Sequence, residues 1–257
     1  MNPEYIKNRI ENNFIQHNTV EDGLLYKYCS FETLELILVN QSLYYSNPDQ
    51  FNDPFEFTTA IFKKFDDLHY VKNVMQVEQD RLLKNYSSET FRFYDMMNNN
   101  WENMKKEFGI SCFSKSPFIT LMWSHYADKY KGVCIGFDFD SLPDDKGLIK
   151  MPVRYLNKIE EIDFWDLMEK GFGEIAIYSW ILSKSNVWKY EQEVRRFYSI
   201  KNGLIPFNLK SIKEIYFGIR CPHDSINKVG NQLKKLNLNN IKLINTIINP
   251  KTFSIGI

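Results

Sequence analysis

Apolar residues recur along the chain at two periods, and the switches between them mark its elements. Val133, Ile135, Phe137 and Phe139 alternate strictly with other residues, the period of a half-buried strand. Upstream, Ile110 to Phe113 is a short apolar run, followed through Ser114, Ser116 and Pro117 by a segment of helical spacing, Thr120 to Ala127. A Lys131-Gly132 turn then leads into the alternating run. Ile110 to Asp140 therefore predicts strand, short helix, strand. It is also dense in groups that a plain core crossing does not need: Ser111, Cys112, Ser114, Ser116, Trp123, Ser124, His125 and Tyr126.

The same reading extends over the rest of the chain. Ile6, Ile10 and Phe14 give residues 1–21 the pattern of an amphipathic helical lead-in. Leu24 to Tyr28 predicts a strand, and Ser30 is a natural N-cap for a helix over Phe31 to Val39 with Leu34, Ile37 and Leu38 inward. Leu43 to Tyr45 predicts another strand. The loop that follows is stiffened by Pro48 and Pro54, so Asn52, Asp53 and Glu56 are presented in a fixed geometry. Residues 62–108 are charged and Asn-rich, with Leu68, Val71, Met75 and Leu82 at helical spacing, and read as a helical insertion or lid. Beyond the central stretch the pattern predicts a strand at Val153 to Tyr155, a helix over Ile159 to Ile181, and an extended core in Lys184 to Ile200. A buried strand at Ile215 to Ile219, a helix capped by Asp224, and strands at Ile241 to Ile248 and Phe253 to Ile257 complete it. The expected fold is a single α+β domain over 1–257, built on a central split or mixed, mainly antiparallel β-sheet.

Composition narrows the function classes. Hydrophobic residues make up 44% and aromatic residues 16%, with 20 Phe and 15 Tyr, which excludes a disordered chain. Lys+Arg and Asp+Glu both number 32, so no global field holds nucleic acid or an anionic membrane, and Lys228, Lys234, Lys235 and Lys242 read as a solvated basic face. No signal-like or membrane-spanning run is present, which makes the cytosol the expected location. The four cysteines are scattered and lack metal-ligand spacing, so neither a disulfide framework nor a structural zinc site is expected.

The candidate chemistry lies in KSNVWKYEQEVRRFYSI. In an extended chain Glu191, Glu193 and Arg195 share one face, with Gln192, Val194 and Arg196 on the other. Carboxylates roughly 7 Å apart along a strand can orient a hydroxyl and stabilise a positive transition state, with Arg195 keeping one of them ionised. A solvated ion-pair ladder would show the same spacing. Trp123, His125 and Tyr126 are then expected as the wall of the site.

LYKY, SNPDQFNDPFE, SCFS, LMWSHYAD with KGVCIGFD, VWKYEQEVR and IYFG together resemble the bacterial family called domain of unknown function 2971, from about Leu24 to the C-terminus. The resemblance implies an accessory protein of mobile-element and phage-defence loci, a regulated toxin or effector. The order of an aromatic strand, a helix with a hydroxyl-rich strand, and an E-x-E strand is also similar to the ADP-ribosyltransferase fold. That similarity implies NAD+ as substrate, Glu193 as the carboxylate on the ribose, Glu191 as the residue orienting the acceptor, and Ser111 or Ser114 as supports of the nicotinamide pocket. Where such transferases hold Arg or His, this chain offers Tyr26, Lys27 and Tyr28.

The leading expectation is thus a transferase-type enzyme acting on a nucleotide cofactor, with Glu193, Glu191 and Arg195 catalytic. Tyr26, Tyr28, Asn52, Asp53, Ser111, Ser114, Trp123, His125 and Tyr126 would bind substrate, and the acceptor is a small molecule or a macromolecule. The alternatives are a non-catalytic sensor that binds a ligand or partner, and a metal-dependent nuclease using Asp53, Glu56, Glu191 and Glu193, which requires those carboxylates to converge on one ion.

Overall fold

Strands drawn from both ends of the chain meet in one seven-stranded sheet, and the remaining elements are laid on its two faces. The computed structural model describes residues 23–58, 99–140, 148–159, 173–198 and 201–257. In chain order the elements are β1 (Leu25–Cys29), α1 (Phe31–Asn40), β2 (Ser42–Tyr45), β3 (Gly109–Ser114), α2 (Thr120–Tyr126), β4 (Val133–Phe137), β5 (Ile149–Pro152) and β6 (Arg154–Leu156). They continue with α3 (Gly173–Leu182), β7 (Ser183–Ser185), β8 (Glu193–Tyr198), β9 (Gly203–Pro206), β10 (Ile212–Phe217), α4 (His223–Lys235), β11 (Lys242–Asn245), β12 (Ile247–Asn249) and β13 (Ser254–Gly256).

The sheet runs β11-β10-β4-β1-β3-β8-β5, antiparallel throughout except where β11 joins β10 in parallel. The protein is therefore α+β with a mixed, mainly antiparallel sheet, as the alternating and helical periods imply. Three two-stranded pairs lie outside it: β2 with β9, β6 with β7, and β12 with β13.

One face of the sheet is covered by α1 and α4. Ser30 caps α1 as expected, its Oγ accepting from the Thr33 amide at 3.2 Å, and Leu34, Ile37 and Leu38 pack on Val133, Ile135, Phe137, Ile215 and Phe217. On the other face α2 lies over β1, β4 and β10 through Trp123, while α3 lies over β3, β8 and β5 through Trp180, Ile181 and Leu182.

β4 is buried on both faces rather than half-buried. Its alternation was legible because Val133, Ile135 and Phe137 face α1 and α4, but the intervening positions are covered too. Cys134 packs with Trp123, and at Gly136 an added Cβ would come within 3.1 Å of the Tyr26 ring. Two further boundaries differ from expectation. The run Ile241 to Ile248 is two strands, broken at Thr246, whose amide and hydroxyl both donate to the Phe217 carbonyl at 3.1 and 2.7 Å. α4 starts behind Pro222, which places Asp224 in its first turn instead of at its cap, where the acid meets the positive end of the helix. The lead-in at 1–21 lies outside the described residues, as does the insertion at 62–108 save for its end, where 99–105 are helical. No helix among the described residues is long and apolar enough to cross a membrane.

Trp123 has no solvent exposure, stands edge-on to Tyr28 with ring centroids 5.3 Å apart, and donates its indole N–H to the Pro117 carbonyl at 2.8 Å. Trp123→Ala should cost about 3–5 kcal/mol in denaturant unfolding. Leu121→Ala, on the outward side of the same helix, should change stability by no more than about 0.5 kcal/mol. Equal losses at the two positions would mean that α2 is not anchored through its tryptophan.

Candidate functional site

β8 is paired on both sides, with β3 and with β5. Its side chains alternate: Val194 and Tyr198 enter the core under α1, whereas Phe197 enters the core under α3. Glu193 and Arg195 share the face of Phe197, on the side occupied by α2 and α3. Glu191 does not continue the row. It ends a 3-10 turn, Asn186–Glu191, and Gln192 adopts a left-handed conformation (φ 49°) before the strand starts at Glu193. The turn nevertheless returns the Glu191 carboxylate to the same place.

That place is a buried cluster of charge centred on a lysine. Lys184 Nζ lies 2.6 Å from Glu191 Oε2, 2.8 Å from Glu193 Oε2 and 3.2 Å from Glu56 Oε1. Arg195 Nε donates to Glu193 Oε1 at 2.7 Å, Nη2 donates to Glu56 Oε2, and Nη1 donates to the carbonyl of Ile181 in the last turn of α3. α3 has no basic residue of its own in that turn, so Arg195 supplies the positive charge its C-terminus favours. Phe51 and Phe57 flank the guanidinium at 5.4 and 5.3 Å from its central carbon. Three carboxylates and two cations thus meet with almost no water contact, and Arg195 is 0% exposed.

The electrostatics divide the carboxylates. Burial pushes the Glu193 carboxyl upward, but Arg195 and Lys184 overcome it and hold the group well below its ordinary 4.5. Glu191 is raised, because burial there outweighs the single cation, Lys184, at its side. Lys184 is driven far up, the pull of Glu193, Glu56 and Glu191 exceeding the cost of its burial.

The structure brings together part of the expected site. Tyr126 donates its hydroxyl to Glu191 Oε1 at 2.7 Å and receives Asn52 Nδ2 at 3.4 Å. Burial first, and Glu191 second, raise the Tyr126 phenol. Ser114 Oγ donates to the Glu191 carbonyl at 2.7 Å, and Tyr155, outside the expected set, receives the Glu193 amide on its hydroxyl at 2.7 Å. His125 lies on the exposed flank, its Nδ1 3.2 Å from the Tyr190 hydroxyl. Asp53 closes a turn by accepting the Phe55 amide at 2.9 Å on Oδ1, while its buried Oδ2 has no hydrogen-bond partner.

Other expected residues lie elsewhere. Ser111 is on the opposite face of β3 from Ser114, where its hydroxyl receives Lys27 Nζ at 3.1 Å. Tyr28 and Trp123 hold the start of α2: the Tyr28 hydroxyl donates to Ser116 O and receives the Ile119 amide. Tyr26 stands against Tyr216, its phenol pushed up to about 12 by burial and by Glu214.

Lys184 was missed by sequence reasoning. Its signal is a lone lysine two residues after the apolar end of α3, seven residues before Glu191, and spacing of that kind identifies no partner. Glu56 was read as a fixed loop carboxylate, but its pairing with Arg195 spans 139 residues of sequence. The point on which Glu56, Glu191 and Glu193 converge is filled by the Lys184 ammonium, and among the described residues no group of three or more His, Cys, Asp or Glu could hold a metal ion.

Beside the cluster is a cavity of about 210 Å3 between the 55–58 loop, the β6 end and β7. Phe55, Phe57, Trp180, Leu156 and Ile159 form its apolar walls, and Glu56 and Lys184 belong to both cavity and cluster. The Trp180 indole donates to Thr58 O at 3.1 Å, fixing one wall.

Glu193 is depressed in the folded state, so the stability it contributes is fully present above the unfolded carboxyl value and is lost as pH falls through the folded one. Glu191 has the opposite sign: its contribution is present at low pH and lost as pH rises through its raised value. At pH 7, Glu193→Gln should therefore cost about 3–5 kcal/mol and flatten the acid limb of the stability curve, while Glu191→Gln costs markedly less. Urea unfolding across an acid-to-neutral pH series reads both, and equal costs would contradict the division between the two carboxylates.

The segment from α2 to the middle of β8 also carries the relation to known proteins. The family model described as "Protein of unknown function (DUF2971)" matches residues 122–196, a narrower span than the motifs from Leu24 onward suggest. No curated protein and no solved structure matches the chain. The matched span contains Tyr126, Lys184, Glu191, Glu193 and Arg195, while Glu56 reaches the cluster from outside it. Over residues 122–196 the chain is similar to the family of unknown function DUF2971.

Proposed function

We propose that the protein is a small-ligand-binding module whose site is the cavity beside the charge cluster, with the cluster as its rigid floor. One observation carries this reading: Glu56 and Lys184 line the cavity and are also locked, through Glu193 and Arg195, to β8 in the sheet. Apolar walls with a few fixed polar groups are the usual make-up of a ligand site. The volume of about 210 Å3 is below the roughly 300–1,000 Å3 that encloses drug-sized ligands. A compact molecule fits whole, and a dinucleotide such as NAD+ would insert one end. The closed pairing of the carboxylates supports binding over chemistry, because both oxygens of Glu193 are already held by cations.

A catalytic reading is favoured by a different observation. Glu191 sits at the outer end of the cluster, hydrogen-bonded to partly exposed Tyr126, with its carboxyl raised by burial, the direction a general acid needs. A transferase or glycohydrolase of this kind would act on NAD+ at the Tyr126 side, with Glu191 in the role that the E-x-E analogy gives to Glu193. In that case purified wild type releases nicotinamide from NAD+ and Glu191→Gln does not; no release from the wild type removes this reading.

For the binding module, a metabolite panel should contain compounds that raise the melting temperature of the wild type in a saturable way. Ser185→Trp, which places an indole in the cavity, should fold and lose that response. A response that survives Ser185→Trp, or a wild type that responds to nothing, would overturn the assignment.

A further inference from the structure

We infer that the cavity takes a compact uncharged aromatic molecule, one ring or a fused pair with a single neutral polar group. The inference rests on the reading of the cavity as a ligand site and names the ligand's class. The two charged side chains of the floor, Glu56 and Lys184, are only 2% and 5% exposed. The Glu56 carboxylate meets Arg195 on Oε2 and the Lys184 ammonium, at 3.2 Å, on Oε1. That ammonium is enclosed in turn by Glu191 at 2.6 Å and Glu193 at 2.8 Å. Both charges are thus closed within the cluster and neither is presented to a ligand. Lys158, the other charged residue of the lining, is exposed, where water screens it. A charged group carried into the cavity would lose hydration and find no opposite charge to replace it, whereas a neutral body has no such cost.

The walls select the body. Phe57 and Trp180 stand edge to face, their ring centroids 5.6 Å apart and their planes 79° from parallel. An aromatic guest beside two perpendicular rings can stack offset on one and meet the other edge-on, the two arrangements that ring quadrupoles favour. The Trp180 indole N–H is already given to the Thr58 carbonyl at 3.1 Å, so this wall meets a guest through ring carbon and not through a donor. Size agrees: an apolar cavity of about 150 Å3 holds one benzene ring, so a volume of about 210 Å3 holds a ring with a short substituent or a fused pair. The polar groups of the lining that are not closed in the cluster are neutral. Asn157 accepts Asn186 Nδ2 on its Oδ1 at 2.9 Å and keeps its own amide N–H groups to donate, and Ser183 and Ser185 add hydroxyls. They suit a ligand hydroxyl or carbonyl.

Four probes of similar shape separate charge from ring character: benzyl alcohol, benzylammonium, benzoate and cyclohexylmethanol. Each is titrated at neutral pH into 15N-labelled full-length protein, following the Trp180 indole N–H, which lies in the cavity wall. Benzyl alcohol should shift that resonance saturably and lose the effect in Ser185→Trp. It should bind about fivefold or more tighter than benzylammonium or benzoate, and about threefold tighter than cyclohexylmethanol. A charged probe, or cyclohexylmethanol, that shifts Trp180 with equal or higher affinity would overturn the inference while keeping the cavity as a ligand site. If none of the four moves Trp180, or if the shift survives Ser185→Trp, the inference falls together with the site.

Discussion

A guanidinium with no solvent contact dictates the arrangement of the half of the molecule that holds the cavity. Arg195 projects from a strand paired on both sides, and taking its charge out of water is tolerable only if its donors find acceptors in place. Three elements supply them: β8 through Glu193, the 55–58 turn through Glu56, and the end of α3 through the Ile181 carbonyl. Lys184 repeats the arrangement one layer out by joining the same two carboxylates to Glu191. The loop, the helix end and the short β7 strand are therefore fixed to the sheet by charge as much as by the apolar packing of Phe57, Trp180 and Phe197.

This determines what the site can do. Glu193, with each oxygen held by a fixed cation, is rigid and resists protonation, which suits a floor more than a reacting group. The exceptions lie at the two margins. Glu191 has one cation and a tyrosine, and one oxygen of Glu56 meets only the Lys184 ammonium, at 3.2 Å and without a hydrogen bond. The first faces the α2 side and the second lines the cavity. Binding and the catalytic alternative thus make different demands on the same cluster.

The sheet was largely legible in the sequence because its strands carry their own patterns: alternation at Val133 to Phe137, and the apolar runs at Ile110 to Phe113 and Ile215 to Phe217. The Ser30 cap was legible because capping is a local event. β4 was read as half-buried from its strict alternation, although Trp123 and Tyr26 cover Cys134 and Gly136 as well. The shared face of Glu193 and Arg195 followed from strand period, whereas the turn at Glu191 did not, since Gln192 in a left-handed conformation carries no Gly or Asn signal. Lys184 and Glu56 were beyond reach as partners because their contacts are set by tertiary placement of a helix end and a distant loop. Ser111 was grouped with Ser114, but an odd separation along one strand puts the two on opposite faces.

The most direct measurement is a double-mutant cycle between Glu56 and Arg195, using Glu56→Gln, Arg195→Met and the double variant, with unfolding free energies from urea titration. If the buried pair ties the loop to the sheet, the coupling energy should be about 2–3 kcal/mol. A coupling below about 0.5 kcal/mol, with the two single substitutions simply additive, would contradict the claim that this ion pair organises the site.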